Sequence, residues 1–292
     1  MNELPANAGG EGASGEAVRA QRIHFLSGLS TRGEMVRAFA HPERRYAVAE
    51  AISPDGLLGL PTVGQTAGDE LRLLLLPAGQ AAGVEWQNRA EEWIRGGESA
   101  GGQPTIDLTL RSERILWRPG QAVVIGSPER LAEIVSGLIE FAFYEGELRK
   151  LESELEADWA HAERDARLTH SVDAAALDQQ SHVDLLTQRT ALRRIRLARL
   201  GPCLERPSIA LAGPTRRLAS ELATQAEVVD RLGWVDDRLE VFEDLYELAN
   251  DRLTEFRYFL REYRLELWII VLLVAEVVVM GAELWAIYNG RW

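Results

Sequence analysis

Apolar residues in the last quarter of the chain recur alternately four and three apart: Val228, Leu232, Val235, Leu239, Phe242, Tyr246, Ala249, Leu253, Phe256, Leu260, Tyr263 and Leu267. Such a spacing is the heptad seam of a long helix packed against other helices. The pattern predicts one helix that opens at Thr215, forms a stalk over 215–266 and runs without a breaker into the apolar stretch LWIIVLLVAEVVVMGAELWAIY. Ile270, Val274, Val277, Gly281 and Leu284 keep the same phase. Leu239, Phe242, Tyr246, Leu253, Phe256, Leu260 and Tyr263 are the residues expected to carry seam contacts, either with the chain's own helices or with another copy.

From Leu267 to Tyr288 the 22 residues, at roughly 1.5 Å each, match the hydrocarbon thickness of a bilayer, about 30 Å. Trp268 and Trp285 stand where an aromatic belt would place them. The sequence therefore predicts a single C-terminal transmembrane helix over 267–288, followed by a short tail, 289–292, as in a tail-anchored protein. Arg252, Arg257, Arg261 and Arg264 precede the span and Arg291 follows it. The positive-inside rule then puts the N-terminal bulk in the cytoplasm and the C-terminus on the opposite side of an inner, cytoplasmic-type membrane. Glu276 falls near mid-span and Glu283 lies seven residues on, on the same helix face and away from the seam. A carboxylate at that depth costs several kcal/mol unless it is neutral or paired, so both are candidates for interhelical packing or an intramembrane proton site.

Upstream, the pattern changes at Ser127. Ser127 as N-cap, Pro128 at the first helical position and Glu129 in the first turn open a helix. Its apolar stripe, Ile134, Leu138, Phe141, Leu148, Leu151, Leu155 and Trp159, continues to about Leu168. A polar bend at Ser171–Asp178 leads into a second helix from about Leu177 to Leu200, which Gly201 and Pro202 are expected to stop, and Pro207–Pro214 reads as a loop. Residues 127–214 thus form a helical hairpin. Over 21–126 short apolar or β-branched stretches predict strands at Arg22–Leu29, Tyr46–Ile52, Leu71–Leu76, Thr105–Leu110, Arg114–Trp117 and Ala122–Gly126. Helices are expected at Arg32–Ala40 and Ala82–Ile94, with loops at Gly56–Gly68 and Gly96–Gly102. Met1–Ala20, rich in Gly, Ala and Glu without an apolar run, is expected to be disordered and is no secretory signal. The fold class is an α+β N-terminal domain, then long coiled-coil-like helices and one C-terminal membrane helix.

Composition narrows the function. The formal net charge of −13 argues against wrapping nucleic acid over the whole surface. A single cysteine, Cys203, excludes an intrachain disulfide and a thiolate cluster. There is no Walker-type loop, GxGxxG or GxSxG elbow, and His24, His41, His161, His170 and His182 form no HExxH arrangement. No catalytic residue, cofactor, metal ligand or small-molecule substrate is therefore assigned. One charge contrast stands out. Arg189, Arg193, Arg194, Arg196, Arg199, Arg216 and Arg217 follow a helix carrying Glu145, Glu147, Glu152, Glu154, Glu156, Asp158, Glu163 and Asp165. The acidic and basic helices could pair lengthwise, or the arginines could face RNA phosphates or anionic headgroups.

The stretch Val235–Val278, with Arg238, Leu239, Glu240, Val241, Asp244, Leu245, Glu247, Leu248, Glu266, Trp268, Ile269, Ile270 and Glu276, resembles the end of the "required for meiotic nuclear division" family, domain of unknown function 155. Ser127–Glu147 is similar to the family's helix that begins with Glu-Arg-Leu and ends near a Glu after an aromatic residue. The two stretches cover about a fifth of the chain. The family's central Asp-x-Pro-aromatic-Trp stretch has no counterpart between Ser208 and Trp234. The resemblance implies an inner-membrane homo-oligomer, its bulk in the matrix or cytoplasm, that supports translation by holding the ribosome near the membrane and has no accepted enzymatic activity. The expectation is an oligomeric, non-enzymatic membrane scaffold whose partners are itself, the bilayer and possible ribosomal or RNA contacts. Alternatives are a transport or channel component with Glu276 lining an inter-subunit path, and an enzyme with an unrecognised site in the α+β domain.

Overall fold

A computed structural model of the chain describes residues 18–28, 33–60, 69–78, 83–96, 104–170, 172–173, 176–206 and 213–290. The segment expected to be disordered up to residue 17, the glycine-rich stretches 61–68 and 97–102, and 207–212 of the expected loop lie outside the described residues. The chain divides into two compact units, 1–156 with 193–238, and 157–192 with 239–292.

In the first unit the strands β1 (Arg19–Leu26), β2 (Glu34–Phe39), β3 (Arg45–Ile52), β4 (Glu70–Pro77), β5 (Ile106–Leu110), β6 (Glu113–Arg118) and β7 (Gln121–Gly126) form one sheet in the order β2-β3-β1-β4-β7-β6-β5. Neighbouring strands pair antiparallel except β4 with β7, which run parallel with Leu74 opposite Val123. Within β4, 73–76 reads as an unbroken run of leucines because the strand is buried on both faces. Leu74 and Leu76 join Ala20, Leu116 and Val123 beneath Leu57 of α1 (Pro54–Leu58) and Ala90 and Ile94 of α2 (Gly83–Arg95). The alternate residues Leu71 and Leu73 point to the opposite face and are fully buried, each stabilising by roughly 2 kcal/mol relative to exposure. On that face Phe143 of α3 (Pro128–Asp165) packs on Phe25 and Phe39, and Phe141 meets the Trp117 ring edge-on at 5.0 Å.

Six of the seven strands fall in the apolar or β-branched stretches that predict them, although β1 starts at Arg19, inside the segment expected to be disordered. β2 does not. The helix expected at Arg32–Ala40 is an edge strand, and the reason is a register shift between Met35 and Arg37. The bulge breaks the period of two, so Met35, Val36 and Phe39 take on a helix-like spacing, with Met35 and Val36 left exposed.

The helices differ from expectation in three places, the first being α1, whose residues 56–58 fall in the loop expected at Gly56–Gly68. α4 (Gln180–Glu205) continues through Gly201 and Pro202. Pro202 sits in the last turn, where its missing N–H forfeits one backbone bond, and burial of Leu200 and Leu204 keeps the turn in place. The predicted single helix from Thr215 is two: α5 (Gly213–Gln225) and α6 (Val228–Asn289). The break has no Gly or Pro. Glu227 itself adopts the left-handed conformation, φ 52°, and its N–H donates to the Thr224 carbonyl to close α5. α3 opens as read, with the Arg130 and Leu131 amides donating to the Ser127 carbonyl, and it ends at Asp165 in a 3₁₀ turn, Ala166–Thr169.

Candidate functional site

α6 is one 62-residue helix with two environments. Val228, Leu232, Val235, Leu239, Phe242, Tyr246, Ala249 and Leu253 are buried. Phe256 and Leu260 are half-buried, Tyr263 is exposed, and no residue from Arg261 to Trp285 is buried. The seam is thus filled by the chain's own side chains as far as Leu253. In the second unit the Phe242 ring meets Trp159 edge-on at 5.6 Å and stacks on Tyr246. The Tyr246 hydroxyl donates to Asp165 Oδ2 at 3.4 Å, and His182 Nε2 stands 3.3 Å from the same oxygen. These contacts explain the aromatic residues at seam positions. They cap a multi-helix packing with hydrogen bonds that leucine could not make.

Beyond Leu253 the helix has length and apolarity without a covering. An 18-residue window has a mean hydropathy of 2.4 and none of it is buried within the chain. By length and composition this helix can cross a membrane. Glu276 and Glu283 both lie on this uncovered part.

The acidic and arginine-rich segments meet in the first unit as an ion-pair layer between helices. Arg196 reaches Glu154 at 2.8 Å and Glu147 at 3.2 Å. Arg193 pairs with Glu154 at 3.3 Å, Arg194 with Asp236, and Arg238 with Glu156. Arg231 grips Glu152 through two nitrogens, at 2.7 and 2.8 Å, and Glu145 at 3.0 Å. Glu145 and Glu147 are almost fully buried, so their charges depend on these partners. Burial disfavours the Arg231 cation, but its hydrogen bonds to Glu152 and the Glu145 charge outweigh that and hold it above the usual guanidinium range. Arg196 behaves alike: burial opposes its charge, and Glu154 and Glu147 more than restore it.

Of the seven arginines proposed for RNA or headgroups, Arg193, Arg194, Arg196 and, through a backbone carbonyl, Arg199 are engaged within the chain. Arg199 is exposed and its guanidinium donates to the Pro42 carbonyl at 3.4 Å. Arg216 and Arg217 are exposed on α5, and Arg189 is exposed on α4 in the second unit. The lengthwise pairing of acidic and basic helices is what the structure displays.

Sequence reasoning missed a second set of polar residues, on the sheet. Glu70 accepts from Arg22 at 2.7 Å and from Arg72 at 2.8 Å. Burial pushes the Glu70 carboxyl upward, but the Arg22 and Arg72 hydrogen bonds outweigh it and hold the group below the usual carboxylate range. Arg37 pairs with the buried Glu140. Gln121 is 1% exposed, and neither amide atom has a hydrogen-bond partner among the described residues. The available signal was positional: Arg22, Glu70 and Arg72 occupy alternate strand positions that the same pattern marks as one face. Glu113 is buried, and its Oε1 accepts from the Ser112 hydroxyl at 3.0 Å and from Arg130 at 2.8 Å; Glu133 lines the same small pocket. Among the described residues no three His, Cys, Asp or Glu side chains gather as a metal site.

Compared with known proteins, the chain matches no family model and no curated protein.

Proposed function

We propose that the chain is a single-pass, non-enzymatic membrane scaffold that assembles through its C-terminal helix and presents its sheet unit to a partner in the cytoplasm or an equivalent compartment. The observation that carries this reading is the run from Arg261 to Trp285, in which no residue is buried although the 18-residue window is as apolar as a membrane span. A folded chain does not leave such a surface in water. Arg252, Arg257, Arg261 and Arg264 at the near end of the run support the cytoplasmic orientation of the bulk. The resemblance to the meiotic nuclear division family supports translation machinery as the partner class.

Topology tests the proposal. In a Cys203→Ala background, cysteines introduced by Ser53→Cys and Gly290→Cys are probed with a membrane-impermeant maleimide on intact cells. The proposal expects labelling at 290 alone, with 53 reacting only after permeabilisation. Labelling of both positions, or of 53 alone, overturns it. Glu276 favours a second reading, in which the helices line an ion path. Glu276→Gln separates the two, since loss of ion flux from an assembled protein supports transport.

A further inference from the structure

We propose that copies of this chain meet inside the bilayer along the helix face bearing Ile269, Glu276 and Glu283, the Glu276 carboxyl of one copy hydrogen-bonding that of the next. The inference rests on reading α6 as a membrane span. It goes further by assigning the face, the occupant and the polar contact.

α6 carries two stripes. The seam is occupied by the chain itself through Leu253. A second stripe, spaced by sevens, runs Glu255, Glu262, Ile269, Glu276 and Glu283, and with a drift of about 20° per heptad it stays on one side of the helix. Every residue of this stripe is exposed. The chain therefore leaves uncovered the one face that also carries both intramembrane carboxyls.

Chemistry selects the occupant. In hydrocarbon a carboxyl needs a hydrogen-bond partner, and polar side chains there serve as contacts between helices. A partner must hold a complementary group at the depth of Glu276. A second copy anchored in the same membrane does so automatically, because the two helices are parallel and every residue stands level with its counterpart. A carboxylic acid offers one O–H donor and free acceptor positions, so two of them satisfy each other. Leu272, Leu273, Val279 and Met280, three and four residues from Glu276, surround the pair with apolar side chains that are all exposed in the single chain. Above the bilayer the stripe carries Glu255 and Glu262, which would oppose their own copies, so close contact is confined to the membrane.

The test is oxidative crosslinking of the full chain in native membranes, with single cysteines in a Cys203→Ala background. Ile269→Cys, Leu273→Cys and Met280→Cys are expected to give a crosslinked dimer, and Val271→Cys and Val278→Cys on the opposite face only traces. Maxima at Ile270→Cys, Val274→Cys and Val277→Cys would overturn the assigned face while leaving a membrane oligomer. No crosslink at any position, in protein that still resists alkaline extraction, would overturn assembly but not anchoring. Added to Met280→Cys, Glu276→Leu is expected to lower the crosslinked fraction about tenfold, whereas Glu276→Gln, which keeps a donor and an acceptor, retains most of it. Equal yields from the two variants would overturn the carboxyl contact.

Discussion

Glu70 shows how a single charge is stabilised on the sheet and what that implies for pH. Its side chain is 18% exposed, and its folded pKa is lowered because the Arg22 and Arg72 bonds outweigh the effect of burial. A lowered folded value means that the stabilisation is complete above the unfolded value, about 4.3, and is lost as pH falls through the folded one. Thermal unfolding of the solubilised chain should weaken below about pH 4, and Glu70→Gln should flatten that acid limb. An unchanged acid limb would show that Glu70 contributes nothing to it. Glu227 is a residue in a conformation that suits glycine better. Its side chain is exposed, so Glu227→Gly should relieve the left-handed backbone and stabilise by about 1 kcal/mol in urea unfolding. Glu227→Val should destabilise.

Among the elements, those with a pure period were legible in the sequence and those with a local exception were not. β4 and β7 show in apolar content, and α3 shows through its Ser127-Pro128 start. The edge strand β2 is hidden by its bulge, and the α5–α6 break by the absence of any breaker residue, since Glu227 carries no sequence signal for positive φ. The extension of α4 past Pro202 reflects burial of Leu204, a tertiary effect that a local rule misses. The ion-pair layer was half legible: complementary charge marked α3 and α4, but the share of α6, from Arg231, Asp236 and Arg238, comes from mixed charges beside the seam that form no run of one sign. Arg231→Ala should cost about 2 kcal/mol, because it takes the two-nitrogen partner from Glu152 and leaves the buried Glu145 with Arg149 as its cation. Arg231→Lys should recover only part of this, as an ammonium cannot grip Glu152 through two nitrogens. Equal unfolding midpoints for Arg231→Ala and the unaltered chain would contradict this account.

For the whole molecule, the central feature is one helix that serves in two solvents. Its first half completes the packing of the chain with buried seam residues from Val228 to Leu253, and its second half presents an uncovered apolar surface. The packed bundle and the candidate span therefore share one element, α6 from Val228, rather than a helix from Thr215. Anchoring is the claim on which the rest depends. Membranes holding the full chain, washed with alkaline carbonate and floated on a density gradient, test it most directly. The account predicts that the protein stays with the lipid and rises, and that Val274→Arg combined with Val277→Arg sends it to the bottom fractions. Release of the unaltered chain into the carbonate supernatant would contradict it.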